Sequence, residues 1–72
     1  MTNEELKNAF WSRVPVIAHI VNLGDIEYEN ISAIIYRFNR KGHFIVSAEL
    51  VDRQSNTSVS IVEAKHIRLK EN

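Results

Sequence analysis

The sequence of 72 residues contains no cysteine, one proline and two glycines. Without cysteine there is no disulfide, no thiolate zinc site, no iron–sulfur cluster and no cysteine nucleophile. Gly24 and Gly42 are too few for a glycine-rich loop that binds phosphate. No apolar run approaches the roughly 20 residues that span a bilayer. These absences leave one small domain, built from aliphatic, polar and charged side chains.

Net charge is absent too, because nine Lys and Arg residues balance nine Asp and Glu residues. No global attraction to nucleic acid or to an anionic membrane follows from this balance. The charge is unevenly distributed, however: residues 1–30 carry a net −3 and residues 31–72 a net +3. This split predicts a dipolar molecule. The acidic N-terminal segment lacks the features of a signal peptide, so we expect a cytoplasmic protein with no membrane partner.

The pattern of apolar residues predicts one helix followed by five strands. Ile and Val supply 16 residues, and β-branched side chains favour strands. Thr2 and Glu5 have the spacing of a capping box at the start of a helix. The alternation slips within the second strand, which predicts a bulge or bend, and residues 63–66 form a single helical turn. The predicted elements are a helix at about 2–11 and strands at about 13–21, 26–38, 43–52, 57–62 and 67–70.

This order of elements favours a mainly β fold, α+β by count. It is typical of a small five-stranded antiparallel SH3-like barrel with an N-terminal helix, because closing the sheet hides its edges. The helix would plug one open end of the barrel. The alternative is an open antiparallel sheet with the helix lying on one face.

Several short segments carry a resemblance to other proteins. They are Glu4-Glu5-Leu6, Pro15-Val16, Ile26-Glu27-Tyr28, the run 31–37 (ISAIIYR) and the run 47–52 (SAELVD). Together they resemble a set of short prophage and conjugative-element proteins of gut Firmicutes, which have no established activity. The resemblance covers most of the chain and implies an accessory protein of a mobile element. It carries no site residues with it.

Residues for catalysis or metal binding do not converge in the sequence. His19, His43 and His66 lie on different predicted elements, whereas metal sites need ligands at short, convergent spacings. Glu27 and Glu29 share one strand face, and we interpret them as an acidic solvent face rather than a cation site. No serine has a nucleophile motif. We therefore predict no enzyme activity, no catalytic residue, no metal and no cofactor.

The most distinctive segment is the predicted hairpin at residues 36–44 (YRFNRKGHF). It combines three fixed positive charges and three aromatic rings with no acid. Cations neutralise phosphates and rings stack on bases, so this composition suits nucleic acid as well as a protein partner. The alternative is that Tyr36 and Phe44 are core residues, Phe38 covers the end of the hairpin, and the cations keep the turn soluble and protect a strand edge. The candidate binding residues are Tyr36, Arg37, Phe38, Arg40, Lys41 and His43.

Trp11 is the second candidate feature, at the predicted junction between helix and strand. It is either a lid on the core or an exposed interface anchor, because Trp is enriched at interface hot spots. Our leading hypothesis is a non-enzymatic interaction module of a phage or mobile element, binding a protein partner or itself as a homodimer. The alternative hypothesis is a nucleic-acid-binding accessory protein that uses hairpin 36–44.

Overall fold

The computed structural model describes residues 1–55 and 57–70, which begin with the helix α1 (Asn3–Ser12). The predicted capping box is confirmed. The Glu5 N–H donates to the Thr2 hydroxyl at 3.2 Å, and the Thr2 N–H donates to the Glu5 carboxylate at 2.8 Å. The hydrogen bond from the Thr2 backbone is the main cause that lowers the pKa of Glu5. The helix ends where Arg13 turns into the left-handed region, with its N–H donating to the Ala9 carbonyl.

Five strands follow the helix in the predicted order. They are β1 (Val16–Ile20), β2 (Gly24–Phe38), β3 (Phe44–Asp52), β4 (Val59–Glu63) and β5 (Ile67–Leu69). A 3₁₀ turn (Ala64–His66) separates β4 from β5, as predicted for residues 63–66. β1 begins later than the predicted residue 13, because Arg13 is left-handed and Pro15 has no N–H to donate to a sheet.

The strands form one antiparallel sheet in the order β4-β3-β2-β1-β5. The predicted mainly β fold is therefore confirmed, but the barrel is not closed, since β4 and β5 remain as two edges. The helix covers one face of the sheet and packs mainly on β2. The expected plug at a barrel end is thus replaced by the alternative arrangement. We call the covered face the helix side and the other face the open side.

The core lies between α1 and the helix side of the sheet. Leu6 and Ala9 are the buried residues of the helix, and Leu6 is fully buried. They meet buried residues contributed by the strands and by the 3₁₀ turn, namely Val16, Ala18, Tyr28, Ile31, Ala48, Leu50, Val62, Ala64 and Ile67. The Met1 nitrogen donates to the carbonyls of Ala64 and Ile67 at 2.6 and 3.0 Å. This contact joins the chain before the helix to the segment that links β4 and β5.

The long strand β2 is irregular, as the slip in its alternation predicts. Its register with β3 shifts between Tyr28 and Asn30 and again between Ile31 and Ala33. The preceding turn lies earlier than residues 22–25, where the sequence places it. Asn22 takes the positive φ of 72° and the Leu23 N–H donates to the Ile20 carbonyl, so Gly24 already belongs to β2.

A bilayer-spanning helix is not found in residues 1–55 and 57–70. The α-helix there has ten residues, half the length that a span requires.

Leu6→Ala tests the dependence of the fold on the helix contact. Removing a fully buried leucine side chain leaves a cavity between helix and sheet, and we expect a loss of about 3 kcal/mol in the free energy of unfolding. Urea denaturation followed by circular dichroism measures it. Trp11→Ala is the control, because Trp11 is 80% exposed and its loss should cost about 0.5 kcal/mol or less. Equal losses in both variants would contradict the assignment of the core.

Candidate functional site

The hairpin of β2 and β3 carries the candidate site at its tip. Phe38 lies opposite Phe44, and Tyr36 lies opposite Val46. Because directly opposed residues share a face and alternate residues return to it, the three rings all lie on the helix side. Arg37, opposite Ile45, lies on the open side. The tip therefore presents rings on one face and a guanidinium on the other.

The three rings contact one another instead of entering the core. Tyr36 and Phe44 are stacked with centroids 5.9 Å apart, and Phe38 and Phe44 are tilted at 5.5 Å. Their exposed fractions are 48% for Tyr36, 57% for Phe44 and 70% for Phe38. The Tyr36 hydroxyl donates to the Asn3 side-chain oxygen at 2.6 Å, which fixes it to the start of α1. The alternative interpretation of Tyr36 and Phe44 as core residues is wrong.

Asn39 organises the turn that joins Phe38 to Phe44. Its side-chain oxygen accepts from the N–H groups of Lys41 and His43, both at 2.9 Å. Its backbone N–H donates to the His43 carbonyl, and its own carbonyl accepts from Gly42. Gly42 has φ +81°, the left-handed conformation expected of it in this turn. The five-residue turn is therefore held closed by hydrogen bonds that leave the neighbouring cationic side chains exposed.

The cations of the hairpin have no acidic partner among residues 1–55 and 57–70. Arg37, Arg40 and Lys41 are all exposed, and none has a carboxylate within ion-pair distance. The exposed His43 adjoins them in the turn. The structure therefore places Tyr36, Phe38 and Phe44 on one face of the hairpin and Arg40, Lys41 and His43 in its turn, whereas Arg37 lies on the opposite face.

The other cationic side chains are mostly paired. Contacts to carboxylates are made by Lys7, Arg53, Lys65, Arg68 and Lys70, leaving Arg13 as the cation outside the hairpin that has no such contact in the described chain. Glu27 accepts from Arg53 at 2.6 Å and lies 3.0 Å from Lys70. The acids of residues 1–30 are thus partly neutralised by cations of residues 53–70. The predicted dipole is reduced, and the unpaired positive charge is concentrated at the hairpin.

Asp25 is the centre of a second charge cluster, between β1, β2 and β5. It accepts from Arg68 Nη2 at 2.8 Å and lies 3.0 Å from His19 Nδ1. The hydrogen bond from Arg68, followed by that with His19, lowers the pKa of Asp25. All three side chains are about half exposed. The cluster is a surface ion-pair network that links β5 to β2.

A groove of about 510 Å³ adjoins the hairpin. Phe44 and His43 line one part of it, and Lys65 and Glu63 line another. Met1 and Asn3 also contribute, which places the start of α1 beside the groove. The groove therefore lies between the ring of Phe44 and the side chain of Lys65.

Trp11 lies at the end of α1, away from the end that contacts Tyr36. Its ring meets Phe10 edge-on with centroids 5.3 Å apart, and the side chain is 80% exposed. A lid over the core would be buried, so that interpretation is wrong. The role of Trp11 as an interface anchor stays a prediction.

Groups of three or more His, Asp or Glu side chains able to hold a metal ion are not found in the described part of the chain. The three histidines are exposed and lie on separate elements, as the sequence indicates. Glu27 is engaged with Arg53 and Lys70.

Two residues of the predicted hairpin are absent from the candidate binding residues, Phe44 and Asn39. Strand alternation places Phe44 on the same face as the core residues of β3, but the side chain is 57% exposed. Asn39 accepts from two backbone N–H groups of the turn. Asn side chains often accept hydrogen bonds from the backbone two residues further along the chain. The position of Asn39 at the start of the turn is therefore the sequence feature that indicates this role.

Comparisons with protein-family models, curated proteins and solved structures find no match for this chain.

Asn39→Ala tests the organisation of the turn. It removes the acceptor for two N–H groups, and we expect amide exchange of Lys41 and His43 to accelerate about tenfold, corresponding to about 1.4 kcal/mol of local stability. NMR hydrogen exchange measures it. Asn39→Asp is the matched control, since a carboxylate retains the acceptor. Unchanged exchange in Asn39→Ala would contradict the role given to this side chain.

Proposed function

We propose that the protein is a non-enzymatic binding module that holds single-stranded nucleic acid on the hairpin of β2 and β3. One observation carries this proposal: the exposed rings of Tyr36 and Phe38 both contact the exposed ring of Phe44, beside a turn whose cations Arg40 and Lys41 lack acidic partners in the described chain. The rings supply stacking surfaces for bases, and the cations neutralise phosphates. The mobile-element setting implied by the sequence resemblance agrees with such a role.

Single strands fit this surface better than duplexes do. Exposed aromatic faces gain energy only from bases that are unstacked, and a duplex keeps its bases stacked inside. The turn cations Arg40 and Lys41 lie at the tip of the hairpin, next to these rings. A strand whose bases contact Phe38 and Phe44 would therefore keep its phosphates near positive charge. Ring stacking and phosphate contacts are available to every base, so we expect little sequence preference.

A protein partner is the other class of ligand for this surface. Aromatic side chains and arginine are also enriched at protein interfaces. The unpaired cations favour a polyanion over a neutral peptide, and they are the reason that nucleic acid is the proposal here. An acidic peptide that competes with oligonucleotides and binds more tightly would overturn it.

Arg40→Glu with Lys41→Glu tests the electrostatic part. Phosphate contacts by the two turn cations, Arg40 and Lys41, predict that the affinity of the native protein for a labelled oligo-dT strand falls about sevenfold between 50 and 200 mM salt. The double variant should bind at least about tenfold more weakly at 50 mM salt, with little salt dependence left. Fluorescence anisotropy titrations measure both quantities.

Lys7→Glu with Arg13→Glu is the matched control, because it lowers the net charge by the same four units away from the hairpin turn. If both double variants lose affinity equally, general charge rather than the hairpin is responsible. No binding of the native protein at about 10 µM in low salt would refute the proposal.

Phe38→Ala tests the stacking part. Losing one base–ring contact costs about 1–3 kcal/mol, so we expect binding to weaken about tenfold with the salt dependence unchanged. Trp11→Ala is the control, as an exposed ring outside the hairpin. The same titrations measure both variants. Full affinity in Phe38→Ala would show that the rings do not contact bases.

A further inference from the structure

The two edges of the sheet are protected to different degrees. β5 has three residues, includes Arg68, is followed by Lys70, and its Ile67 carbonyl accepts from the Met1 nitrogen. Short length and basic side chains are the usual means by which proteins keep an edge from pairing. β4 (VSIVE) has five residues, neither lysine nor proline, and a register with β3 free of shifts. β4 is thus an edge that lacks this protection.

The backbone of β4 offers hydrogen-bonding groups outward. The Asp52 N–H donates to the Ser58 carbonyl at 2.9 Å, so residues 52 and 58 are a hydrogen-bonded pair. Such pairs alternate in antiparallel sheets, which assigns Ser60 and Val62 to bonds with β3. The N–H and C=O groups of Val59, Ile61 and Glu63 therefore point to the edge, where no strand of the described chain pairs with them.

The side chains of the same strand leave apolar surface exposed. Val59 is 48% and Ile61 55% exposed, and both lie on the open side of the sheet. Their only neighbours across the sheet are on β3, where Val51 faces Val59 and Glu49 faces Ile61. A strand added at the edge would cover the remaining flank of both side chains.

We propose that β4 pairs with β4 of a second copy of this chain, antiparallel about a two-fold axis at Ser60. In this register Val59 lies opposite Ile61 of the second copy, and Ile61 lies opposite Val59 of the second copy. Ser60 meets Ser60, and Glu63 lies opposite Thr57 rather than another carboxylate. Four backbone hydrogen bonds form between the residues at 59 and 61 of the two copies. The result is one continuous sheet of ten strands.

Three arguments favour a second copy as the occupant. Opposed β-branched side chains are among the favourable cross-strand pairs, and this register opposes no like charges. The register with Ile61 on the axis instead places Val59 against Glu63, an apolar group against a charge. Because β5 is protected, β4 of one copy does not pair with β5 of another. Association therefore stops at the dimer instead of growing into a filament.

The proposed contact between the two β4 strands buries little area, so we expect a weak dimer. A five-residue edge buries well under the roughly 1,000 Å² of a stable interface. We therefore expect a dissociation constant on the order of 100 µM. The proposal does not rest on nucleic-acid binding, and its test contains no nucleic acid.

Single cysteine variants test the register, because the chain has no cysteine of its own. Ser60→Cys places two thiols on a non-hydrogen-bonded pair with Cα atoms about 4.5 Å apart, which a disulfide bridges. We expect it to form a covalent dimer under mild oxidation at 200 µM. Ser58→Cys is the matched control: its two copies lie four residues apart along the strands, about 13 Å, although Ser58 is the more exposed serine.

Sedimentation of the cysteine-free protein up to 1 mM supplies the independent measurement. We expect a monomer–dimer equilibrium that Ile61→Lys shifts to monomer and that Val21→Lys, at an exposed site outside β4, leaves unchanged. A strict monomer at 1 mM, or equal crosslinking of Ser60→Cys and Ser58→Cys, would overturn the proposal. Faster crosslinking of Ile61→Cys than of Ser60→Cys would also overturn it, by moving the axis to Ile61.

Discussion

The contact between α1 and the helix side of the sheet is the constraint on which the rest of the structure depends. Leu6 and Ala9 are the buried residues of a ten-residue helix, about 15 Å long. β2 has 15 residues, about 50 Å when extended. A helix this short covers only part of the hairpin formed by β2 and β3. The uncovered part carries Tyr36, Phe38 and Phe44, so the exposure of these rings is a consequence of unequal element lengths.

The same constraint separates core from surface along a single strand face. On the helix side of β3, Ala48 and Leu50 are fully buried, whereas Phe44 in the same alternation is more than half exposed. Nothing in the local sequence distinguishes these positions, because strand periodicity assigns all of them to one face. The distinction comes from where the helix begins. The hydrogen bond between Tyr36 and Asn3 marks that boundary.

Features set by a few adjacent residues were therefore predictable from the sequence. Features that depend on how far the helix extends over the sheet were not. The capping box of Thr2 and Glu5, the irregularity of β2 and the 3₁₀ turn before β5 each follow from a few adjacent residues. The open barrel, and the exposure of the rings, depend on how far one element reaches over another. The net charges of the two halves of the chain follow from the sequence, but the ion pairs that join the two halves do not. Pairing of Glu27 with Arg53 and Lys70 depends on the sheet order.

Open edges and overhanging hairpins are two results of folding a short chain around one helix. A closed barrel would remove both edges, but here the sheet ends at β4 on one side. The outward groups of β4 lie at this edge, whereas the rings of the hairpin lie on the helix side of β2 and β3. A strand paired at β4 therefore leaves the rings accessible. The two-fold axis proposed for the β4 pair would place the two hairpins at opposite ends of the joined sheet. One flexible strand long enough to reach both hairpins would then bind with higher avidity than either site alone provides.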